Sequence, residues 1–440
     1  MISIRKRVLS LANMILEFIV GIGLTVFITR FYSIEEAGQW FLFIAIFALA
    51  SSLRDALVQA ALIKGTAHAD DSLNIAHLKT NGIILLTTEL LMCGILLAFS
   101  LASSGEWSQL LLLYPIYSLP NAIMRWLIFY LRGKLTLAPI LVANAINSSI
   151  LFVGIVLIIQ WNLSLQYVVV VLGISSFAAA LHLLPFIPLR QMMVCVLSKE
   201  QFLLIKQVGF VAAAREATSA VSTRISLFIT GSLLTLQHTA LLGVSQRFAQ
   251  VALLPNNSFQ SILFPSLVQC VQNGNWEQAR KQFHESISLL LSITIPLSIV
   301  GIALSPYVLT LLNGAAYQHA WVYLSIYVFI ATCITPFGAA FGSAVTAWGK
   351  PQFAFGLVVV NSILTIVLSF VLIKFLGVFG APLAMAIVEL SGLACVAYLL
   401  KKVCGIHLQD TLQLIPHHYR QIILRLKQQL VLSLYPINRN

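Results

Sequence analysis

Ten ionisable residues lie inside otherwise apolar stretches of this chain: Arg54, Arg125, Arg215, Arg224 and Arg247, with Glu17, Asp55, Glu89, Glu216 and Glu389. Two chemistries are open to them. A guanidinium presents a planar fork of donors that fits phosphate, or it pairs with a carboxylate. A carboxylate in such a place binds a proton or Na⁺, or acts as counter-ion to an arginine. Facing lipid, each charge would cost about 2.5–3.5 kcal/mol, on the order of 25–35 kcal/mol for the ten, so they must face protein or water. Arg54 and Asp55 are neighbours in sequence and diverge by about 100° on a helix, which predicts that they do not simply neutralise each other and that each has another partner.

Polar residues at helical spacing accompany these charges. Ser51, Ser52, Asp55 and Gln59 form one stripe with Arg54 on its flank, and Gly243, Arg247, Gln250 and Asn257 form another. Asn13, Glu17 and Gly21 make a third, and Glu216, Ser219, Thr223, Ser226 and Thr230 a fourth. Arg215 and Arg224 are nine positions apart, about 180° around a straight helix, so both share a face only if that helix bends. Arg224 lies beside the Thr223 stripe, while Arg215 with Glu216 suits a structural pair equally well. Arg125 is expected to snorkel from a helix end, and Glu389 to make a packing hydrogen bond. Asn144, Asn147, Ser148, Asn361, Ser362 and Thr365 suit sugar contacts or interhelical hydrogen bonds alike.

The elements that must position these residues are membrane helices. Of 440 residues, 59% are hydrophobic and 9% charged, and mean hydropathy is +0.93, against about 25% charged residues in soluble domains. Twelve apolar runs long enough to cross the bilayer are expected near 10–30, 38–62, 81–101, 108–131, 138–159, 166–188, 207–232, 239–265, 286–312, 321–347, 353–373 and 379–400. The basic start resembles a signal peptide, but its apolar run is too long, contains Glu17 and lacks a cleavage site, so it is expected to stay as the first span. Segments 189–206 and 273–287 are charged on one side and apolar on the other and are expected to be interfacial helices, as is IILRLKQQLVL at 422–432.

The net charge of +12 is explained by topology without a nucleic-acid partner. With a cytoplasmic N-terminus, nineteen of the 26 Lys and Arg fall on the inner side, two outside and five within spans, which is the positive-inside pattern for an even number of spans with both termini cytoplasmic. The six cysteines show no paired spacing and are expected to be free thiols. The chain also repeats itself with a shift of 201: FIT at 27–29 returns at 228–230, Leu53, Gln59 and Leu62 return as Leu254, Gln260 and Leu263, and Asp55 falls opposite Asn256. The expected fold is therefore an all-α membrane protein of twelve transmembrane helices in two six-helix lobes, related by a pseudo-two-fold axis along the membrane normal. The expected division is lobe 1–188, linker helix 189–206, lobe 207–400 and amphipathic tail 401–440.

Phe264-Pro265, the Asn273-Gly274 turn, Pro296, and above all Gly314, Tyr317 and Ala320 resemble the polysaccharide-transporter branch of the multidrug/oligosaccharidyl-lipid/polysaccharide flippase superfamily. FITRFYSIEEAGQWFLF resembles its first outer turn, and Gly377, Gly380 and Ala381 the turn before its last span. The resemblance covers nearly all of residues 1–400. It implies a Wzx-like flippase that moves undecaprenyl-pyrophosphate-linked oligosaccharides, such as O-antigen units, across the bacterial inner membrane by alternating access. It also implies a central cavity lined by the first two spans of each lobe, the four spans that carry the polar stripes. On that basis Arg54 and Arg247 are the expected pyrophosphate contacts, with Arg224, Arg215, Gln250 and Asn257 beside them. Asp55, Glu17, Glu89 and Glu216 are the candidates for proton or Na⁺ coupling, and polysaccharide assembly proteins are candidate partners.

No catalytic signature appears. GSAVTAWGKP lacks the first glycine and the Ser/Thr of a P-loop, and there is no HExxH or CxxC, so neither an ATPase, a cofactor nor a metal site is expected. Three rivals remain. A multidrug cation antiporter of the same superfamily should have an acidic or aromatic cavity. A lipid II flippase resembles this chain but carries two further C-terminal spans, for which 405–440 is too charged. A membrane assembly protein without transport activity would need no converging polar stripes.

Overall fold

The computed structural model describes residues 4–65, 71–103, 108–134 and 136–420. Among them every regular element is helical, the outcome expected where backbone groups find no water and must bond within their own segment. By contacts the chain separates into two compact units, 1–243 and 244–440.

The first unit contains α1 (Ile4–Phe31), α2 (Ile34–Gly65), α3 (Asp71–Ala102), a short α4 (Gln109–Leu112), α5 (Tyr114–Gly133), α6 (Ala138–Trp161), α7 (Gln166–Leu183), two short linker helices, α8 (Leu189–Val194) and α9 (Lys199–Leu204), and α10 (Phe210–Leu233). A reciprocal cap separates α1 from α2: the Ser33 N–H donates to Glu36 Oε2 at 2.9 Å, and the Glu36 N–H to Ser33 Oγ at 3.2 Å. Val58, Leu85, Trp126, Phe129, Leu131 and Leu183 form the core of this unit. Helix α10 packs along α2, and the backbone just after it comes close enough that a methyl group at Gly38 would collide with the Leu236 carbonyl oxygen. The lobes expected from the repeat, 1–188 and 207–400, follow sequence similarity; the contact boundary falls later, inside α11 (Leu236–Ala252).

The second unit takes the end of α11, then α12 (Leu254–Gln272), α13 (Trp276–Asn313), α14 (Trp321–Phe329), α15 (Thr335–Ala347), α16 (Pro351–Leu376) and α17 (Gly380–Leu399). A π turn, Ile330–Ile334, joins α14 to α15, and residues 408–420 form a last helix. Leu267, Phe283, Leu291, Phe341 and Leu400 form its core.

Among the described residues, seven stretches are long and apolar enough to cross a membrane, and the last of them, 351–404, holds two helices, α16 and α17. The four remaining crossings, α1, α5, α10 and the pair α11–α12, are long enough but carry polar residues at helical spacing. This gives the twelve expected spans. Large apolar side chains cover the outside: Leu90, Leu91, Ile95 and Leu101 on α3, Phe152 and Val153 on α6, Phe375 on α16. Apolar surface of that extent marks a lipid-facing exterior.

Two expectations are corrected. The amphipathic segment after Gly274 is not a separate interfacial helix; it is the first part of α13, a continuous 38-residue helix about 57 Å long, begun by the Asn275 side chain accepting from the Gln278 N–H. The linker is not one helix either. It breaks at Cys195–Leu197, where Lys79 Nζ donates to the Cys195 carbonyl at 2.7 Å and the Ser198 N–H to Thr80 Oγ1 at 2.9 Å. The segment 422–432 lies outside the described residues.

Candidate functional site

Four charged side chains from three helices meet in the first unit. Arg54 on α2 is wholly buried; its Nη1 donates to Glu89 Oε2 on α3 at 2.7 Å, its Nε to Asp55 Oδ1 at 2.9 Å and its Nη2 to Asn121 Oδ1 on α5 at 3.3 Å. Arg125, one turn after Asn121, donates from Nε to Asp55 Oδ2 at 3.1 Å and lies 5.1 Å over the Phe129 ring. Asp55 is thus shared by two arginines, one on each oxygen. The set is neutral when all four groups are ionised, and the multiple hydrogen bonds make burial of the charges tolerable.

One half of the sequence-based expectation for Arg54 and Asp55 is overturned: the two do pair with each other. Their Cα atoms do diverge around the helix, but the arginine side chain is long enough to fold back, and Nη2 reaches Asp55 Oδ1 at 2.8 Å. The expected further partners are also present, Glu89 for Arg54 and Arg125 for Asp55. Arg125 does not snorkel; it joins this network. A stripe on α5, Ser118, Asn121 and Arg125 at helical spacing, was legible in the sequence and signals this role. Ser118 closes the other end, with its hydroxyl 3.4 Å from the Cys93 thiol, which in turn lies 3.9 Å from Glu89 Oε1.

A cavity of about 330 Å³ adjoins the network, lined by residues that include Glu17, Ser51, Asp55, Asn121, Arg125 and Asn147. Arg54 has no exposed side-chain surface, whereas Arg125 is 27% exposed and Asp55 14%. In this conformation Arg125, not Arg54, is the arginine that lines the space. Glu17 is exposed and accepts from Asn144 Nδ2 at 3.2 Å, and the same amide donates to Asn13 Oδ1 at 2.9 Å. The buried Oδ1 of Asn147 has no hydrogen-bond partner, leaving one acceptor among the lining groups unfilled.

The remaining predicted residues lie on α10 to α12. Arg215 and Glu216 are exposed on α10 and Arg224 is half-buried on the same helix. In the second unit Arg247 is half-buried and donates from Nη1 to Gln250 Oε1 at 2.8 Å, with no carboxylate pairing it within that unit among the described residues. The stripe does not continue evenly to Asn257, because α11 stops at Ala252 and α12 starts at Leu254 with Pro255 in its first turn. Asn257 is exposed, while Asn256, the repeat counterpart of Asp55, is 4% exposed with an unfilled Oδ1. Glu389 is half-buried on α17. Among the described residues no group of three His, Cys, Asp or Glu side chains is placed to hold a metal ion.

No curated protein sequence matches the chain. Among solved structures, the inward closed conformation of lipid II flippase MurJ superposes with a TM-score of 0.72 at 16% identity, over 95% of this chain and 92% of that one. The inward-facing conformation of a multidrug resistance MATE family transporter of the MOP superfamily superposes with a TM-score of 0.71 at 14% identity, over 89% of this chain and 94% of that one. These likenesses establish the fold, a twelve-helix, two-lobe membrane protein, and its relatives of that fold are transporters. The family model that matches is lipid II flippase MurJ, over residues 133–426. The match supports the flippase superfamily that the residue patterns resemble, without singling out its Wzx-like branch. The chain is an integral membrane protein of the flippase superfamily and belongs to the family of the lipid II flippase MurJ.

Proposed function

We propose that the chain carries a polyprenyl-pyrophosphate-linked saccharide across the bacterial inner membrane by alternating access, with lipid II as the cargo class. The observation that carries this reading is the family match over residues 133–426. Arg247 supplies the chemistry: a guanidinium partnered by an amide keeps its charge available for an anion, and its fork suits a pyrophosphate. In the first lobe Arg125 is the partly exposed cation and Arg54 the buried one that holds Asp55 and Glu89 in place. Arg224 and Arg215 on α10 are the further candidate phosphate contacts of the first unit, and Gln250 and Asn257 those of the second. The lobes are taken as 1–188 and 207–400, with both termini cytoplasmic.

Coupling is assigned to the carboxylates. Arg54 and Arg125 are balanced by Asp55 and Glu89, so a proton on either acid leaves the cluster with a net positive charge, and anionic cargo then binds more tightly. Glu17 at the cavity and Glu216 on α10 are the further ion-binding candidates, with Na⁺ as the alternative ion.

A second reading, an O-antigen or related surface-polysaccharide unit as cargo, is supported by the resemblance of residues 264–320. A multidrug cation cargo is disfavoured by Arg247. The test is binding of purified protein to lipid II, to an undecaprenyl-pyrophosphate-linked O-unit and to a lipophilic cation, read by native mass spectrometry. Lipid II retained in preference to the others supports the reading; retention of the cation alone overturns it.

A further inference from the structure

The linker between α7 and α10 displays large apolar side chains. Val194 is 86% exposed, Val196 81% and Phe202 58%. The Lys79–Cys195 and Thr80–Ser198 hydrogen bonds hold the linker backbone against α3, so these side chains are kept outside by the fold. Between linker and helix lies a groove of about 510 Å³, within the roughly 300–1,000 Å³ of small-molecule sites. Ile83, Ile84, Leu197, Phe202 and Leu203 make it almost wholly apolar, with Thr80, Ser198 and Lys199 as its polar residues. The exposed charges on the linker are mostly basic: Arg190, Lys199 and Lys206 against Glu200.

A groove of this composition suits neither water nor a compact polar metabolite. It is open along the protein surface, next to the apolar exterior of α3, and it carries an ammonium group among its lining residues. We propose that it binds one acyl chain of an anionic glycerophospholipid, with the phosphate at Lys199 and the chain between Phe202 and Ile84. Charge complementarity selects the occupant: a zwitterionic lipid offers the same chain but less attraction for Lys199, Arg190 and Lys206. The site is independent of the cargo and lies apart from the arginine network, so it holds whether or not the transport reading does.

The test uses full-length protein reconstituted in vesicles of phosphatidylcholine, with brominated phosphatidylglycerol or brominated phosphatidylcholine added at equal mole fraction. The variant Phe202→Trp places a fluorophore in the groove with little change of shape, and its emission is taken as the difference from unaltered protein. The expected result is at least twofold stronger quenching by the brominated phosphatidylglycerol, with the preference lost in F202W/K199E. Equal quenching by the two lipids overturns the proposal, and so does efficient quenching by aqueous acrylamide in place of lipid. Native mass spectrometry of Lys199→Glu without the tryptophan gives a second reading: one retained phosphatidylglycerol fewer than in unaltered protein is expected, and an unchanged number contradicts the site.

Discussion

Removing Arg54 should cost more than removing its partner Glu89, and the contacts each would leave behind set the size of the difference. In Arg54→Ala, Asp55 keeps Arg125 at 3.1 Å, but Glu89, with no exposed side-chain surface, is left with no cation and with neutral neighbours such as the Cys93 thiol at 3.9 Å. An uncompensated buried charge of this kind costs about 3–5 kcal/mol. In Glu89→Ala, Arg54 still has Asp55 and Asn121, and the excess positive charge is shared with the partly exposed Arg125, so the loss is nearer that of one charged hydrogen bond, about 1.5–3 kcal/mol. The double variant Arg54→Met, Glu89→Leu removes both charges and fills the space with apolar atoms, and should be more stable than Arg54→Ala. Unfolding of the purified protein in mixed micelles, followed by tryptophan emission against denaturing detergent, gives all three values. A coupling energy of about 2 kcal/mol or more between the two positions is expected. If Arg54→Ala and Glu89→Ala each cost under about 1 kcal/mol and simply add, the two residues do not act as a buried pair and the description of the network is wrong.

Other outcomes follow from single contacts. Gly38→Val should destabilise by about 1–3 kcal/mol by forcing α2 away from the Leu236 carbonyl, whereas Gly338→Ala, with open space at its Cβ, should change the melting temperature by less than a degree or two; thermal unfolding in detergent compares them. Gly314 has φ +96°, so Gly314→Ala should lose about 1–3 kcal/mol in the same assay. Thr411→Val removes the hydroxyl that sits 2.7 Å from His284 Nδ1; stability should fall by only about 1 kcal/mol, while limited proteolysis near 408–420 becomes faster. Arg125→Ala should lower transport more than Arg125→Lys, because the lysine keeps the charge beside Asp55 but not the fork.

The helical plan was legible because hydrocarbon leaves the chain little choice, and all twelve expected spans have helical counterparts. Helix ends were less so. Residues 276–285 look like a surface helix because they are amphipathic, yet no breaker separates them from the apolar run that begins at Ser286, and the helix runs through. The network was half legible: the buried charges were visible, but their pairing depends on side-chain reach, which helical angles do not give. Arg54 bends back to Asp55, and Arg125 reaches the same carboxylate from another helix. The branch assignment rested on Gly314, Tyr317 and Ala320. In the structure these build a turn, with a positive φ at Gly314, Tyr317 and Ala320 buried, and the Ala320 carbonyl accepting from Ser245. Residues that shape a turn report first on the fold, which the branches of the superfamily share, and only indirectly on what is carried.

The most direct measurement of the account is translocation of a fluorescent lipid II in proteoliposomes, scored by its loss of protection from an external reagent, for unaltered protein and for Arg247→Ala. The expected result is protein-dependent translocation that falls about 10- to 100-fold in the variant, the range for losing one charged hydrogen-bonding group. Translocation indifferent to Arg247, or protein that moves a lipophilic cation and leaves lipid II where it was, would contradict it.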